Sequence, residues 1–589
     1  MDDLRITVVL VAEHVAEHGV DRNLDVVHSV LRERWPTTTI TVSMESAAKE
    51  LDDASRRVFD RFTHTPQPLI DSWLVSQAVR ASVDPGTVVV MSDRGGAGGV
   101  LALAEASHDP HQRRIVWTAA GSGLTVESML VSGTIEHLDL PEAAIVDWEL
   151  VQMQYSAEVL VTGAAAAASL SRFGITTGMI VPEPKGDARS EPVSIGTVWV
   201  PGPVRRRNRS GDVLRALAPL PGVSVTVSDE DASDDVWTGT TWDSLSGPRG
   251  LLGDRLRRSA NPPEIVDAVI VGDALAPPDP QTIALHDTGT PVLAARGSVA
   301  DAMWTDAMVW DTADELAALV EGGGDGRPSR HEGWSGPRIR EAMHNDRARR
   351  VSVGVPIYGS SPYLDACIES VLDQSEAPHE VLVMDDGSAS PVVTERVATW
   401  VARSQGRVRL LDQPNRGVCV ARNRMIEAMT GDAFVLVDQD DVLDPRFIER
   451  TASSLRSNPG VSAVATWTEF FGEYEGIEAK PPFDVRVGLR ENPIVSTAVL
   501  VDISVREEGI AFAPDLAFIY CEDWHFWSQI IASGRRMGLV PEPLVRHRVH
   551  RESGGFRRTD LALRIGRARS AEILVRGRLH PDGDHVWTP

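Results

Sequence analysis

The chain has 589 residues, of which 42% are hydrophobic and 24% charged, and its formal net charge is −26. This length predicts roughly three to four domains of ordinary size, and the composition is typical of a folded protein. The acidic balance argues against nucleic acid or an anionic membrane as the default partner, because phosphate binding needs a basic surface.

The cysteines and the amino terminus bear on the cellular compartment. Cys367, Cys419 and Cys521 occur without metal-type spacing, which argues against a disulfide framework or a zinc site and favours reduced core residues. The start of the chain lacks the basic region of a signal peptide, and no apolar run approaches the ~20 residues of a membrane span. We therefore expect a cytoplasmic protein.

Residues 1–325 alternate strand-like runs with helical patterns, which is the rhythm of a parallel α/β layer. The first set has a helix near 23–34 and strands at 6–11, 39–42, 87–91, 115–118 and 159–162. The second set has strands at 195–200, 223–227, 268–271 and 291–294. We predict two tandem Rossmann-like units, 1–190 and 191–325, in a multidomain α/β protein.

Residues 326–350 are predicted to form a linker and a short helix. Glycine-rich segments at 322–328 and 333–337 break the periodicity. The charged segment 338–350 then predicts a helix that leads into an apolar strand beginning at 351.

Two apolar runs in the following segment end abruptly in carboxylates. The run 381–384 precedes Asp385 and Asp386, and the run 434–437 precedes Asp438, Asp440 and Asp441. Buried parallel strands deliver such groups to one edge of a sheet. A cluster of this kind needs a compensating cation, and hard oxygen ligands suit Mg²⁺ or Mn²⁺, which usually arrive with a diphosphate.

Further motifs follow these carboxylates in a fixed order. They are 355–358 (Val-Pro-Ile-Tyr), the helical pattern 364–374, 383–388 (Val-Met-Asp-Asp-Gly-Ser), 415–423, 438–441 (Asp-Gln-Asp-Asp) and 522–524 (Glu-Asp-Trp). Together they resemble the family 2 glycosyltransferases over 351–556. The resemblance implies a GT-A domain, which binds a nucleotide sugar on one doubly wound sheet.

The resemblance also implies roles for individual residues. Residues at the nucleotide are Pro356, Tyr358, Asp385, Asp386, Arg422 and Asp438. Asp440 is the expected direct metal ligand, Asp438 and Asp441 share direct and indirect roles, and His550 completes the metal or diphosphate site. Asp523 is the expected general base, which takes the proton from the acceptor hydroxyl.

Simpler interpretations remain for each motif taken alone. Asp385 and Asp386 are also compatible with an ordinary turn, and 438–441 with a helix cap. The pair at 522–523 is also compatible with a solvated helix start, and His550 with a surface histidine. For Trp524 and Trp527 we favour core packing over stacking on a sugar.

The amino-terminal region faintly resembles a GT-B glycosyltransferase of the family 4 type, at 158–174, 200–207 and 289–316. In that family two glutamates precede the Gly-x-Pro-Val segment, and the corresponding positions here are Ala276 and Ala284. We therefore expect a noncatalytic scaffold, an acceptor-binding module or a dimerisation platform. Arg205–Arg209 could bind a phosphate near a helix start, although a solvated basic turn is favoured.

The tail 557–589 carries seven arginines between 557 and 578, interspersed with aliphatic residues. We favour a helix that packs back on the body. Peripheral contact with the anionic inner membrane face is the alternative.

These observations predict a metal-dependent inverting glycosyltransferase that uses Mn²⁺ or Mg²⁺. Its expected donor is a nucleotide sugar, with a UDP-sugar favoured, and its expected acceptor is a glycan or lipid-linked glycan of cell-surface polysaccharide or cell-wall synthesis. The alternatives are a noncatalytic sugar-nucleotide or glycan-binding protein and a bifunctional enzyme with two active transferase modules. A nucleotidyltransferase is disfavoured, because no Gly-rich loop with basic residues lies near Val355. The sequence leaves the oligomeric state open.

Overall fold

The computed structural model describes most of the chain, and the strands of the described residues form sheets of six, six and nine strands. The described residues are 5–12, 22–92, 97–106, 115–119, 149, 151–161, 170, 175, 177–179, 195–201, 210–228, 252, 254–259, 261–271, 280–287, 290–296, 307–322, 350–359, 361–458, 460–550 and 560–576.

The first sheet consists of short apolar strands, and its central strands are buried on both faces. The strands are β1 (Ile6–Val11), β2 (Thr37–Val42), β3 (Val88–Ser92), β4 (Ile115–Ala119), β5 (Glu158–Val161) and β6 (Gly178–Met179). They pair in parallel in the order β2-β1-β3-β4-β5-β6. The helices are α1 (Arg22–Arg34), α2 (Met44–Lys49), α3 (Asp53–Phe59), α4 (Gln67–Ser82) and α5 (Gly99–Ala106). Strand β3 has apolar side chains that are at most 1% exposed, as expected when helices cover both faces of a parallel sheet.

The second sheet is also parallel, and its strand order reverses direction at its middle. Its strands are β7 (Thr197–Val200), β8 (Ser224–Ser228), β9 (Leu256–Ser259), β10 (Ala268–Val271), β11 (Val292–Ala295) and β12 (Met308–Trp310). They follow the order β12-β11-β10-β7-β8-β9, which is the doubly wound order of a Rossmann fold. The described helices are α6 (Ser210–Leu217), α7 (Pro280–Asp287) and α8 (Ala313–Val320). The predicted parallel sheets are thus confirmed, whereas their GT-B arrangement stays a prediction.

The third sheet is mixed and forms the carboxyl-terminal domain. Its strands are β13 (Val351–Ile357), β14 (Glu380–Asp385), β15 (Val408–Asp412), β16 (Ala433–Leu436), β17 (Val442–Leu443), β18 (Val461–Gly472), β19 (Gly476–Glu478), β20 (Leu500–Asp502) and β21 (Arg536–Val549). The order is β15-β14-β13-β16-β20-β18-β21-β17, with β19 paired to β18. Strands β13 to β16 are parallel to their neighbours in this half, while β20 runs antiparallel to both β16 and β18.

Helices cover this sheet and complete the domain. They are α9 (Leu364–Leu372), α10 (Pro391–Arg403), α11 (Val418–Ala428), α12 (Phe447–Ser457), α13 (Val485–Arg490), α14 (Glu522–Ala532) and α15 (Asp560–Arg576), with 3₁₀ turns at Ile503–Glu508 and Pro514–Ile519. The buried residues Cys367, Cys419 and Cys521 carry free thiols, as predicted.

The first unit packs directly on the carboxyl-terminal domain through aromatic rings. Phe62 makes edge-to-face contacts with Trp73 of α4, at a ring-centroid distance of 5.4 Å, and with Trp467 of β18, at 5.8 Å. Trp467 is 1% exposed and Trp73 is 4% exposed. Apolar residues of the two parts therefore share one core.

The tail helix α15 packs against the body, which confirms the favoured prediction for the described part of the tail. Gly566 leaves space for Cys521, because a Cβ there would lie 2.8 Å from the Cβ of Cys521. Leu574 is fully buried, and the Arg567 guanidinium donates to the carbonyl of Arg490. Within the described residues, no helix is long and apolar enough to span a bilayer.

Several sequence predictions lie outside the described residues. They include the predicted helix 338–349, most of the linker and the arginine segment 205–209. The proposed domain boundaries stay predictions, although each sheet falls within the range predicted for it.

Candidate functional site

The carboxyl ends of β14 and β16 bring the two acidic segments to one edge of the mixed sheet. Both strands are parallel to β13, which lies between them. Asp385 ends β14, and Asp438 follows β16 within two residues. A turn forms at once after β16, since the amide of Asp441 donates to the carbonyl of Asp438 at 3.0 Å. The predicted convergence of the two acidic segments on one sheet edge agrees with this topology.

Asp386 is held by a loop and is 4% exposed. It accepts hydrogen bonds from Gln413 Nε2 at 2.6 Å and from the amides of Arg416 and Gly417 at 2.8 and 2.9 Å. Gly417 has a φ of +89°, a conformation that favours glycine and lets the loop wrap the carboxylate. Asp386 therefore anchors the 413–417 loop, and its contact with a nucleobase stays a prediction.

The other predicted nucleotide residues surround this loop. Asp385 accepts from the amide of Ser388 at 2.8 Å. Pro356 is buried in β13 opposite Met384, while Tyr358 is 58% exposed just beyond the strand. The Tyr358 carbonyl accepts from Gln439 Nε2 at 3.2 Å, which ties this loop to the second acidic segment.

Arg422 joins two motifs that lie far apart in the chain. Its guanidinium donates to Asp438 Oδ1 at 2.8 Å and to Glu522 Oε1 at 2.9 Å, and its side chain is 4% exposed. Burial lowers the pKa of Arg422, but the two carboxylates outweigh it and raise that pKa. The structure gives Arg422 two carboxylate partners, and its predicted position beside the base or diphosphate stays a prediction.

Asp440 and His550 face each other at the predicted metal position. His550 Nε2 lies 2.8 Å from Asp440 Oδ2, and both side chains are about one fifth exposed. Burial, then the neighbouring Asp441 and Asp438, raise the pKa of Asp440. A carboxylate that is costly to ionise alone is stabilised by a bound cation. The contact of His550 with Asp440 favours the ligand interpretation over a surface histidine.

Asp441 is fully buried, and its carboxylate is already engaged. It accepts from Ser496 Oγ at 2.8 Å, from the amide of Arg548 at 3.1 Å and from His547 Nδ1 at 3.0 to 3.1 Å. Burial lowers the pKa of His547, because it disfavours the charged imidazolium. The attraction and hydrogen bond of Asp441 act in the opposite direction and are stronger in sum, so the pKa of His547 is raised to about 9. This geometry favours the indirect one of the two metal-site roles predicted for Asp441.

Asp523 lies at the start of α14 and is 8% exposed. Asn492 Nδ2 donates to its Oδ2 at 3.0 Å, and the amide of Trp524 donates to its Oδ1 at 2.8 Å. Trp524 and Trp527 are 3% and 1% exposed, which confirms their prediction as core residues. The alternative of a solvated helix start at 522–523 is wrong, because both carboxylates are buried.

Two residues at the site, Asn492 and Arg548, were missed in the sequence, and Glu522 was placed in the 522–524 motif without a role of its own. Asn492 acts through a partner 31 positions along the chain, for which the sequence offered no local signal. Arg548 lies between aromatic rings, with its guanidinium carbon 4.0 Å from the ring centre of Tyr363 and 4.2 Å from that of Phe471. Arg548 could have been identified from the sequence, because it lies two residues before His550.

Comparisons with known proteins identify the kind of domain to which these residues belong. Residues 352–496 match the family model described as Glycosyl transferase family 2. A 216-residue segment is 27% identical to an uncharacterized glycosyltransferase of Haemophilus influenzae, which covers 34% of this chain and 65% of that protein. A 132-residue segment is 32% identical to chondroitin synthase of Escherichia coli. This match covers 22% of this chain and 19% of the synthase.

Among solved structures, S. aureus TarS 1-349 in complex with UDP-GlcNAc is similar at 17% identity and a TM-score of 0.32, over 39% of this chain and 71% of that one. A score of this size carries no inference about the present chain. The family match and the named relatives confirm a family 2 glycosyltransferase domain in the carboxyl-terminal part. The GT-B likeness predicted for the amino-terminal part is not confirmed.

Proposed function

We propose that this chain is a metal-dependent inverting glycosyltransferase, which moves a sugar from a nucleotide diphosphate donor to a glycan or lipid-linked acceptor. The observation that carries the proposal is the link that Arg422 makes between the second acidic segment and the 522–524 motif. Arg422 connects them, because it binds Asp438 on one side and Glu522, the neighbour of Asp523, on the other.

The described residues fit a divalent ion that arrives with its substrate. Asp440 and His550 would hold it, and no group of three ligating side chains occurs in the described part of the chain. A site with two protein ligands leaves positions for diphosphate oxygens and water, which is how Mg²⁺ and Mn²⁺ are commonly bound. When bound, the ion would supply Lewis-acid stabilisation of the leaving diphosphate.

Asp523 would act as the general base. Its Oδ2 accepts from Asn492 Nδ2 and its Oδ1 from the amide of Trp524, which orients the carboxylate, and an ionised carboxylate is the group type that takes an acceptor hydroxyl proton. The helix amino terminus favours a negative charge at this position. As the acceptor oxygen bonds to the anomeric carbon, the bond to the diphosphate breaks on the opposite face, and the configuration inverts.

The charged network would hold this geometry during the reaction. Arg422 fixes Asp438 and Glu522, and Asn492 orients Asp523. Prepositioned groups stabilise a transition state without reorganisation, which is the main source of catalysis in such sites. The partial likeness to chondroitin synthase supports a polysaccharide or glycolipid product, and we favour a UDP-sugar as donor.

The proposal is tested by incubating the full chain with a panel of UDP-, GDP- and dTDP-sugars in the presence of Mn²⁺ or Mg²⁺. We expect release of one nucleoside diphosphate, abolished by EDTA and restored by the metal. The anomeric configuration of the sugar product, read by proton NMR, should be opposite to that of the donor. Retention of configuration would contradict the mechanism, and metal-independent release would contradict the ion site.

A further inference from the structure

A loop of the first unit is fixed to the edge of the carboxyl-terminal sheet by backbone pairing. The amide of Thr63 donates to the carbonyl of Ile477 at 2.9 Å, and the amide of Ile477 donates to the carbonyl of Arg61 at 2.6 Å. Thr65 Oγ1 accepts from the amide of Ala479 at 3.2 Å. These three hydrogen bonds join residues 61–65 to residues 477–479, so the loop holds a defined position on β19.

This joint presents His64 outward. His64 has a φ of +49°, a conformation sparsely populated by residues other than glycine, and its side chain is exposed. Such backbone conformations persist where the surroundings enforce them, and they cluster at functional sites. The pairing of Thr63 and Thr65 on either side of His64 is what enforces it here.

A row of rings continues from His64 toward the site. Its ring centroid lies 6.4 Å from that of Tyr474, Tyr474 lies 5.5 Å from Phe470, and Phe470 lies 5.9 Å from His547. Tyr474 and Phe470 are half-buried. His547 in turn contacts Asp441 beside the predicted metal ligand. His64, Tyr474 and Phe470 are called the ring surface below.

The ring surface lies on the other half of the sheet from the nucleotide motifs of β13 and β14. The motifs around Asp385 and Pro356 belong to β14 and β13, whereas Phe470 belongs to β18 and its paired residue His547 to β21. Strands β16 and β20 separate the two halves. The second acidic segment reaches the ring surface, because Asp441 contacts His547. A donor with its base at β13 and β14 and its diphosphate at the second acidic segment would therefore meet a second substrate that lies on the ring surface.

The polar atoms of the ring surface suit a polyhydroxylated ligand. Sugars place their C–H faces on aromatic rings and their hydroxyl groups on neighbouring hydrogen-bonding groups. The Tyr474 hydroxyl and the exposed His64 imidazole belong to the rings themselves, so the ring surface offers both kinds of contact. The ion pairs of Glu469 with Arg61 and Arg546 lie on the opposite face of β18 from Phe470 and help to hold the first unit on the sheet.

We propose that the ring surface binds the acceptor as a chain of pyranose units, so that the first unit contributes His64 to the acceptor site. This inference rests on the proposed transferase function and gives the amino-terminal region a role in it. The acceptor chain would lie along the row of rings, with its reacting hydroxyl group directed to the site beyond His547.

The test uses the full chain on an array of defined pyranose oligosaccharides. The variants are His64→Ala, Tyr474→Ala and the double variant, with His28→Ala as the control, because His28 is on α1 in a different part of the first unit. We expect the wild type and the control to bind one class of oligosaccharide. The double variant should lose that binding by about tenfold or more. Equal melting temperatures would show that the joint remains folded.

A kinetic measurement separates this inference from the proposed function. With the bound oligosaccharide as acceptor, the double variant should raise the acceptor KM by about tenfold or more and leave the donor KM unchanged. Absence of binding to the array, or equal binding by wild type and double variant, would overturn the inference. A different result would separate the two proposals. If the wild type binds the oligosaccharides, the double variant does not, and the wild type cleaves no donor, the proposed function would be overturned while the ring surface would still be a glycan-binding surface.

Discussion

Replacing Asp523 by asparagine should remove the general base and leave the shape of the site intact. The carboxylate accepts hydrogen bonds on both oxygens, among them one from Asn492 Nδ2 and one from the amide of Trp524. An amide has a single acceptor oxygen, so one of these buried donors loses its partner, at a cost of about 1–3 kcal/mol. Turnover should fall by about 10²–10⁴-fold, because the substituted side chain does not take up a proton at neutral pH.

Asn492→Asp combined with Asp523→Asn provides the matched control. It restores one donor and one acceptor between the two positions but moves the carboxylate away from position 523. We expect partial recovery of the melting temperature without recovery of turnover, both measured on the full chain. Full turnover in the Asp523→Asn variant, or recovery of turnover in the double variant, would refute the assignment of the base.

Further predictions concern stability and the joint between units. Arg422→Met should destabilise the folded domain by about 3–5 kcal/mol, because it leaves the buried Glu522 carboxylate without its cation and removes the partner of the partly exposed Asp438; an unchanged melting temperature would contradict this. Burial raises the pKa of Glu380, but hydrogen bonds from Thr430 outweigh it and hold the pKa below its usual value. The ionised form is therefore favoured on folding, so Glu380→Gln should lower the melting temperature at neutral pH. This difference should begin to shrink as pH falls through the unfolded-state pKa of about 4.3 and should be lost once pH is below the lowered folded-state pKa; a constant difference would contradict it. Gly476→Ala would bring a methyl group to within 2.6 Å of the Thr63 methyl group, so the loop should become sensitive to limited proteolysis, and Thr63→Ala in the same chain should restore resistance.

The ends of parallel strands could be predicted from the sequence, because each is a short apolar run that stops at a polar residue. This holds for β14 and β16, for which the predicted apolar runs 381–384 and 434–437 differ from the observed strands Glu380–Asp385 and Ala433–Leu436 by one residue at each end. The acidic segments could be placed at one edge for the same reason. In a parallel sheet the carboxyl ends of the strands lie at the same edge. The positions of the apolar runs in the sequence were therefore sufficient to predict where the carboxylates lie.

Strand β21 shows where local pattern fails. It runs from Arg536 to Val549 and contains two prolines, which argue against an internal strand because proline donates no hydrogen bond. The structure accommodates Pro543 at a register shift opposite Trp467, where the pairing with β18 is irregular. An irregularity set by the partner strand is invisible in the sequence of β21 alone.

The contacts that complete the site are long-range and were not predicted for the same reason. Arg422 and Glu522 are 100 positions apart, and Phe62 meets Trp467 across two units of the chain. Periodicity identifies which face of an element is buried, but the identity of the covering element depends on the packing of the whole molecule. The motif order supplied the residues of the site, and the packing supplied their partners.

The most direct test of the account is metal-dependent release of nucleoside diphosphate by the wild type, Asp440→Ala and Asp412→Ala. Asp412 is an exposed carboxylate at the end of β15, on the same sheet edge and opposite Asp385, so it controls for loss of negative charge. We predict that Asp440→Ala abolishes release and weakens binding of Mn²⁺ with the donor, while Asp412→Ala retains wild-type rates. Equal metal-dependent release by the wild type and Asp440→Ala would contradict the proposed site.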